Sequence, residues 1–324
     1  MTIVSVLIPF HGAAKFLSES VRSVLGQTMS DFELLLIDDR ADAEAKKLSR
    51  QLAHIDSRIR IVQTRYPGLP FALNTGIMAS RGKYLARLDD DDKMCPERLE
   101  EQLKVMAGRP DLVCLGSQVS YFDAEGKIGI SRLPLSDWQI RKEAVISNPM
   151  AHPSLLMRKS SVIEAGLYNE SFTLALDYEL IARLLSVGRM ENSKEALTKY
   201  RIHAEQISSA RKLERHPYVL AALEFINHPP KDPSVKTQNV EDYIESEDPE
   251  AFFLDQFGSK AHVAQSILAW RSAMESNSLS HKLASSVKAT LSSPSISCKF
   301  IISKVLTAIS ASPSNLKRGN QSLA

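Results

Sequence analysis

Four consecutive carboxylates directly follow a short apolar segment, and they are the residues of this sequence best suited to chemistry. The segment from Tyr84 to Leu88 is typical of a buried strand, and Asp89 to Asp92 come immediately after it. Adjacent like charges repel one another, so a fold gains nothing from them alone. Hard divalent cations take carboxylate oxygens as ligands, which indicates a site for Mg²⁺ or Mn²⁺. The alternative is a solvated acidic turn, the usual role of a charge run.

A second pair of acids ends another apolar segment. Phe32 to Ile37 is predicted to be a strand, and Asp38 and Asp39 follow it. In a parallel sheet the carboxyl ends of the strands lie at one edge, which is where open α/β sheets bind ligands. The two acidic groups are therefore expected to converge on one ligand.

The elements that carry these acids alternate between strands and helices. Short apolar runs rich in β-branched residues predict strands, and segments with one apolar face predict the helices between them. The predicted strands are Ile3–Pro9, Phe32–Ile37, Ile59–Val62 and the one beginning at Tyr84, and the predicted helices are Phe16–Gln27, Ala43–Ile55 and Phe71–Ser80. This order predicts an α/β fold with a mostly parallel central sheet and helices on both faces.

The alternation stops after the acidic run, so the second half of the chain is predicted to form a different layer. The elements predicted there are a helix over Pro96–Met106, a strand over Leu112–Gly116, a hairpin between Val119 and Ile130, a strand over Leu155–Met157, helices over Ser161–Ala165 and Tyr178–Val187, and a strand over Leu197–Ile202. Breaker residues and an acidic stretch follow Ser209. We therefore predict a domain over residues 1–209 and a mainly helical C-terminal extension over residues 210–324, with an acidic linker and a basic, Ser-rich tail.

The composition excludes several classes of protein. Charged residues make up 24% of the 324 residues and the formal net charge is +2, which argues against a dedicated nucleic-acid binder. The three cysteines, Cys95, Cys114 and Cys298, have no metal-ligand spacing and fit a reducing compartment. Neither a secretory leader nor an apolar run of membrane-spanning length is recognised, so we expect a cytoplasmic protein.

The last fifty residues are basic as well as partly apolar. After Glu275 the sequence has six lysines and arginines and no acid, and the apolar residues between Ile301 and Ile309 share one helical face. Packing of this helix on the domain is one interpretation. A weak peripheral contact with anionic lipid at the inner membrane face is the other.

An ordered set of motifs resembles one family. The motifs are Val4–Pro9, Ser23–Thr28, Leu36–Asp39, Ala72–Ile77, Leu88–Asp92, His152–Ser154, Asp177–Leu180 with Arg183, and Tyr200–His203. In this order they resemble the family-2 glycosyltransferases of the GT-A fold, most of all those that build bacterial surface polysaccharides. The resemblance implies a Rossmann-like domain that moves a sugar from a nucleotide-diphosphate donor, expected to be a UDP-sugar, to a glycan or lipid-linked acceptor hydroxyl.

The resemblance assigns roles to the acidic run. Asp91 falls on the family's metal-binding aspartate, for Mn²⁺ or Mg²⁺. Asp89 and Asp90 would contact the ribose of the donor or the water shell of the metal. The run allows more than one alignment, so which carboxylate contacts the metal stays open.

Other matched residues are assigned to the nucleotide sugar. Asp39 falls on the aspartate that accepts from an N–H of uracil, and its alternative role is the N-cap of the helix that starts near Ala43. Pro9 and His11 lie on the loop that contacts the base and ribose in the family, although a loop histidine is also a common surface residue. Asn74, in a matched helix, is placed with them.

The resemblance assigns the remaining residues to the reaction and the acceptor. Asp177 matches the general base that deprotonates the acceptor hydroxyl in one inverting displacement, and its alternative role is an N-cap. Arg183 is expected to orient Asp177 from the same helix. His152 is placed on the acceptor side or is a structural histidine, and Arg201 and His203 approach the diphosphate or form a surface salt bridge.

Two departures from the family pattern leave other functions open. Arg40 stands where the family has small residues, and Leu176 stands where an acid often precedes the base. One alternative is therefore a catalytically retired protein that binds a nucleotide sugar. Another is a sugar-phosphate nucleotidyltransferase, but such an enzyme would carry a glycine-rich loop after its first strand, and Pro9–Ala14 has a single glycine.

Overall fold

Four short apolar segments form the first half of the central sheet. The computed structural model describes residues 2–203 apart from 13, 14 and 146, residues 215–251 apart from 228, 230, 233, 237–239 and 247, and residue 268. The four strands are β1 (Val4–Phe10), β2 (Phe32–Asp38), β3 (Ile59–Gln63) and β4 (Tyr84–Arg87). Every residue of β1, β2 and β4 is buried, because helices cover both faces. All three pairings among these strands are parallel.

Three helices connect these strands. They are α1 (Leu17–Leu25), α2 (Ala43–Ile55) and α3 (Leu69–Ala79). The carboxylate of Asp42 accepts from the N–H of Ala45 at 2.8 Å and caps α2. Between β2 and α2 the backbone turns sharply, and Arg40 takes a left-handed conformation with φ of 56°.

The second half of the sheet mixes strand directions. It contains β5 (Lys93–Met94), β6 (Leu112–Phe122), β7 (Lys127–Ile130), β8 (Leu156–Arg158) and β9 (Arg189–Arg201). The strand order is β3-β2-β1-β4-β8-β6-β9-β5, and β7 pairs with β6 outside this path. β8 is antiparallel to both β4 and β6, whereas β9 runs parallel to β6. The predicted α/β class is confirmed, with parallel pairing in the first half and mixed pairing in the second.

The helices of the second half flank these strands. They are α4 (Arg98–Ala107), α5 (Asp137–Ala144), α6 (Lys159–Glu164), α7 (Leu176–Val187), α8 (Arg215–Asn227) and α9 (Val240–Glu245), with a 3-10 turn at His152–Ser154. The sequence did not predict α5 or β5. It also placed the start of β9 at Leu197, because the preceding residues of that strand are largely polar.

One buried arginine joins the two halves of the sheet. Arg98 is fully buried at the start of α4 and has no carboxylate partner among the described residues. Its guanidinium donates five hydrogen bonds, to Gln102 Oε1, the carbonyl oxygens of Pro153, Arg87 and Leu155, and Thr198 Oγ1. Burial lowers the pKa of Arg98 to about 9. The cation thus holds the end of β4, the 3-10 turn and β9 together.

The chain divides into two compact units. The first comprises Met1–Ala144 and Asn148–Glu241, and the second comprises Val145–Ser147 and Asp242–Ala324. Within the first unit α8 packs against α7, and the hydroxyls of Thr173 and Tyr218 lie 2.8 Å apart. The predicted domain boundary at residue 209 stays a prediction, since residues 204–214 lie outside the described part.

The C-terminal predictions fall largely outside the described residues. Residues 252–324 of the predicted helical extension, apart from residue 268, and with them the basic tail and its predicted lipid contact, lie there. Within the described part of the chain, no helix combines the length and apolar character needed to cross a bilayer.

A close packing contact of α3 gives the first prediction. A Cβ added to Gly76 would overlap Ile37 Cδ1 and would lie 3.4 Å from Leu7 Cδ2. We expect Gly76→Ala to lower the free energy of unfolding by about 1–3 kcal/mol, measured by urea denaturation. Gly108→Ala, where no atom lies within 4 Å of the added Cβ, is the matched control. Adding Ile37→Val should restore part of the loss, and equal stability of the two alanine variants would contradict this packing.

The backbone at Arg40 gives the second prediction. A left-handed conformation costs a side-chain-bearing residue roughly 1–2 kcal/mol, and glycine avoids this cost but loses more chain entropy. Arg40→Gly should therefore raise the free energy of unfolding by up to about 1 kcal/mol. The control is Arg50→Gly on the exposed face of α2, which should lower it by about 1 kcal/mol. A loss of stability in Arg40→Gly would show that the side chain of Arg40 stabilises the turn.

Candidate active site

Three of the four carboxylates after β4 converge. One oxygen from each of Asp89, Asp91 and Asp92 lies within 4.8 Å of the other two. Asp92 is fully buried, while Asp89 and Asp91 are partly exposed. Asp90 lies outside this group, and its carbonyl oxygen accepts from Ser20 Oγ at 2.8 Å. The solvated-turn interpretation does not describe Asp92, because a fully buried carboxylate is not a solvated one.

The four carboxylates Asp89 to Asp92 form a loop after β4, called the acidic loop below, and the end of β9 fixes it. The backbone N–H of Arg201 donates to Asp92 Oδ1 at 2.8 Å, and Arg201 Nε donates to the carbonyl oxygen of Asp91 at 2.8 Å. The same guanidinium lies over the rings of Phe16 and Phe122, with 4.0 Å and 4.6 Å to their centroids. Arg201 therefore holds the loop and forms an ion pair with Glu19 at 2.9 Å, while its predicted approach to the diphosphate on the acceptor side stays a prediction.

The loop carries more negative charge than its surroundings neutralise. Arg87, fully buried, forms an ion pair with Asp89. Burial and then the charges of Asp91 and Asp89 raise the pKa of Asp90 to about 7. Burial first, and then Asp89 and Asp91, raise the pKa of Asp92 well above its usual value. A single arginine thus leaves several carboxylates in mutual repulsion.

The carboxylate set fits a divalent cation. Asp92 Oδ2 is buried and has no hydrogen-bond partner within the described part of the chain, although a buried carboxylate oxygen normally has one. Asp89, Asp91 and Asp92 supply the oxygen ligands that Mg²⁺ and Mn²⁺ prefer. His203 Nε2 lies 2.9 Å from Asp91 Oδ2 and adds an imidazole at the rim of the cluster. The sequence included Asp91 as the metal ligand but did not identify Asp92.

Asp177 lies in the first turn of α7 and near the acidic loop. The N-cap of α7 is Ala175, in a left-handed conformation with φ of 52°, so the N-cap interpretation of Asp177 is wrong. Asn148 Nδ2 donates to Asp177 Oδ2 at 2.6 Å. The charge of Asp177 contributes to the raised pKa of Asp89, after burial and the charge of Asp91. The two carboxylates therefore belong to one electrostatic environment.

Arg183 does not orient Asp177, which corrects the prediction. Its guanidinium forms a fully buried ion pair with Glu179, with Nε at 2.9 Å from Oε1. Six residues along a helix correspond to a rotation of about 240°, whereas four bring side chains to the same face. Arg183 therefore pairs with the acid one turn before it, and it contacts neither Asp177 nor the acidic loop.

His152 and Asn74 are held by a buried tyrosine. His152 Nε2 lies 2.7 Å from the hydroxyl of Tyr168, and burial together with nearby Arg87 lowers the pKa of His152 well below its usual value. Asn74 Nδ2 donates to the carbonyl oxygen of Tyr168 and to Glu170, and Asn74 Oδ1 accepts from the N–H of Tyr168. Both N–H groups of the Asn74 amide donate to acceptors within the protein. The predicted contact of Asn74 with the nucleotide sugar is therefore corrected to a structural role.

Asp39 lies at the same edge of the sheet as the acidic loop. Asp42, not Asp39, caps α2, so the N-cap interpretation of Asp39 is wrong. Asp39 Oδ1 accepts from the N–H of Gly68 at 2.9 Å, and its Oδ2 has no hydrogen-bond partner among the described residues. β1 separates β2 from β4, so the two acidic ends lie two strand spacings apart, roughly 10 Å.

The remaining predicted residues surround Asp39. Pro9 lies in buried β1, opposite Ile37, and His11 Nδ1 lies 2.5 Å from the carbonyl oxygen of Asp39. Arg40 is exposed and forms no ion pair with an acid of the described chain, so it does not neutralise either acidic group. Sequence reasoning missed Asn148 and Arg98, since nothing in their neighbourhoods distinguishes them from ordinary polar residues.

The comparisons with known proteins agree with this geometry. Residues 5–165 match the family described as "Glycosyl transferase family 2". The amylovoran biosynthesis glycosyltransferase AmsE of Erwinia amylovora is 32% identical over 211 residues, covering 64% of this chain and 79% of AmsE. The O-antigen biosynthesis glycosyltransferase WbnJ of Escherichia coli is 32% identical over 208 residues, covering 63% of this chain and 81% of WbnJ.

The fold is also found in solved structures. S. aureus TarS 1-349, crystallised in complex with UDP-GlcNAc, superposes with a TM-score of 0.64 at 12% identity, covering 89% of this chain and 91% of that one. The complex of the same protein with UDP gives a TM-score of 0.60. This similarity identifies the GT-A fold. The two relatives at 32% identity and the match over residues 5–165 show that the chain is a member of glycosyl transferase family 2.

Proposed function

We propose that this chain is an inverting, metal-dependent glycosyltransferase that moves a sugar from a UDP-sugar to an acceptor hydroxyl in the synthesis of a cell-surface polysaccharide. One observation carries the proposal. One oxygen from each of Asp89, Asp91 and Asp92 lies within 4.8 Å of the other two, and, after burial, the charge of Asp177 contributes to raising the pKa of Asp89. A cation site and a basic carboxylate in one environment are what the reaction requires.

The donor site is proposed between Asp39 and the acidic loop. Asp39 Oδ2, with no partner among the described residues, is available to accept from an N–H of uracil. Roughly 10 Å separates the ends of β2 and β4, a distance that a nucleoside diphosphate bridges. S. aureus TarS, which has the same fold, was crystallised with UDP-GlcNAc, and this supports a UDP-sugar as the class of donor.

Asp89, Asp91 and Asp92 are proposed to hold Mg²⁺ or Mn²⁺. When bound there, the cation supplies positive charge where the departing diphosphate becomes more negative. Arg201 and Arg87 fix the loop that presents the ligands, by the contacts described above. The sequence predicts that Asp89 and Asp90 both contact the nucleotide sugar or the water shell of the metal. Asp89 is now proposed to be a ligand of the cation, and Asp90 is proposed to lie next to the cation site without binding the cation.

Asp177 is proposed to be the general base. Its Oδ2 accepts from Asn148, while Oδ1 has no hydrogen-bond partner among the described residues and faces an acceptor hydroxyl in the proposed complex. As the hydroxyl oxygen bonds to the anomeric carbon, its proton passes to Asp177 and the bond from that carbon to the diphosphate oxygen breaks. The attack comes from the face opposite the leaving group, so the anomeric configuration inverts.

The acceptor is proposed to be a glycan or lipid-linked glycan. AmsE and WbnJ are named for amylovoran and O-antigen biosynthesis, which supports this class. Membership of the family argues against the nucleotidyltransferase alternative. Arg40, which is exposed, and Leu176, which is buried, displace no acid of the site and give no support to a retired binding protein.

The cation site is tested by removing one ligand. Asp91→Ala should weaken UDP binding in the presence of Mn²⁺ at least about 10-fold and leave UDP binding without metal unchanged, because a carboxylate ligand is lost. Isothermal titration calorimetry measures both affinities. The control is Asp31→Ala, an exposed acid before β2. Undiminished metal-dependent affinity in Asp91→Ala would overturn the assignment.

The base is tested by an isosteric change. Asp177→Asn should lower the rate of UDP release from a panel of UDP-sugars with Mn²⁺ by about 100-fold or more, because an amide accepts no proton. Affinity for UDP and Mn²⁺ should stay within about 3-fold, since Asp177 is proposed to contact the acceptor. Asp31→Asn serves as the control. Equal, measurable rates for Asp177→Asn and the native chain would reject the base. No UDP release by either protein would favour a protein that only binds the donor.

A further inference from the structure

Asn148 is held in a fixed orientation beside Asp177. Its Oδ1 accepts from the backbone N–H of Met150 at 3.2 Å, which defines the oxygen side of the amide. The nitrogen side then faces Asp177, and Nδ2 donates to Asp177 Oδ2 at 2.6 Å. Among the described residues, Asn148 is the one hydrogen-bond donor to the carboxylate of Asp177. One side chain therefore links a backbone turn to the proposed base.

The residues around Asn148 are anchored in the core. The carbonyl oxygen of Pro149 accepts from Asn192 Nδ2 at 3.1 Å. Met150 is buried, and its Cε lies against the α-carbon of Gly116 on β6, where an added Cβ would approach it to 3.0 Å. Asn148 thus projects from a segment that the sheet fixes, and such support limits the movement of a side chain.

Asp177 needs such a contact because the charges around it do not orient it. After burial, the charge of Asp177 contributes to raising the pKa of Asp89 and the pKa of the neutral Tyr168 hydroxyl. Asp89 repels it, and Arg183, the cation on the same helix, is paired with Glu179. A neutral donor fixes the carboxylate without adding a positive charge beside the cation site.

We propose that Asn148 is a positioning residue for the transfer reaction: it holds Asp177 Oδ2 so that Oδ1 is aimed at the acceptor hydroxyl. This inference rests on the proposed role of Asp177 as general base. Misplacement of a reacting group by about 1 Å costs up to about 100-fold in rate, which sets the scale of the expected effect. Asn148 contacts neither the donor nor the acidic loop in this arrangement, so its effect is on turnover.

Two substitutions separate positioning from a structural role in the turn. Asn148→Asp is isosteric and keeps the oxygen that accepts from Met150, but it removes the donor and adds a negative charge. Asn148→Ser also keeps an acceptor for the N–H two residues on, but its side chain is too short to reach Asp177. If Asn148 only stabilises the turn, Asn148→Ser keeps the native rate, and Asn148→Asp shows the effect of the added charge alone.

Positioning predicts a defined pattern in the rate of UDP release with Mn²⁺. Both variants should lose about 10- to 100-fold in kcat with donor KM within about 3-fold of the native value, and melting temperatures should change by less than about 4 °C. The acid limb of the pH–rate profile should move to higher pH, because a lost donor or an added like charge disfavours the ionised carboxylate. The shift should be larger for Asn148→Asp.

A double variant distinguishes this inference from the proposal it rests on. In the Asp177→Asn background, Asn148→Ser should cause no further loss, because a residue that acts through Asp177 has nothing left to position. Native kcat and pH profile in both Asn148 variants, with an inactive Asp177→Asn, would overturn the positioning role and leave the base in place. Native activity of Asp177→Asn would instead overturn the proposed role of Asp177 as general base, on which this inference rests.

A measurement without substrate completes the test. The side-chain amide protons of Asn148, observed by ¹⁵N NMR of the whole chain, should change shift as the pH is lowered through the protonation of Asp177. In Asp177→Asn this titration should be absent. An amide signal that titrates identically in both proteins, or in neither, would exclude the hydrogen bond. This outcome decides the inference even if no UDP-sugar of the panel is turned over.

Discussion

Repulsion among the carboxylates at the end of β4 is the constraint on which the site depends. Three of them lie within 4.8 Å, one of them buried, with a single buried arginine paired to the group. The fold tolerates this arrangement because the backbone N–H of Arg201 and the hydroxyl of Ser20 hold the loop from two directions. The fold therefore supplies the contacts that hold the loop against the repulsion of its charges, and the proposed cation would reduce that repulsion.

The mixed half of the sheet determines what stands beside the acidic loop. β8 is inserted between β4 and β6, which places the turn at His152–Ser154 next to the carboxyl end of β4. Arg98 then joins this turn to β4 and β9 by hydrogen bonds to their backbone and side-chain oxygens. Because the hydrogen-bond partners of Arg98 are uncharged oxygens, its burial requires no further carboxylate next to Asp89, Asp91 and Asp92.

The sequence predicted the elements whose pattern is local. β1 to β4 and α1 to α3 follow from apolar runs and helical periodicity, and these elements place both acidic groups at one edge. It failed where neighbours in space decide. The polar first half of β9 gives no strand signal, Arg183 has an acid one turn earlier that competes for it, and Asp42 lies closer to the start of α2 than Asp39 does. Asn148 became visible only through the orientation of its amide, which no spacing reveals.

The hydrogen bond between Arg201 and Asp92 spans more than one hundred residues of sequence, and it has a consequence for biosynthesis. A nascent chain that has been synthesised as far as β5 already contains every carboxylate of the acidic loop. It lacks the last residue of β9, which supplies the fixed backbone donor. The proposed cation site therefore gains this donor only after β9 has been synthesised and has paired with β6, so a fragment that ends before residue 201 lacks the backbone contact that fixes Asp92.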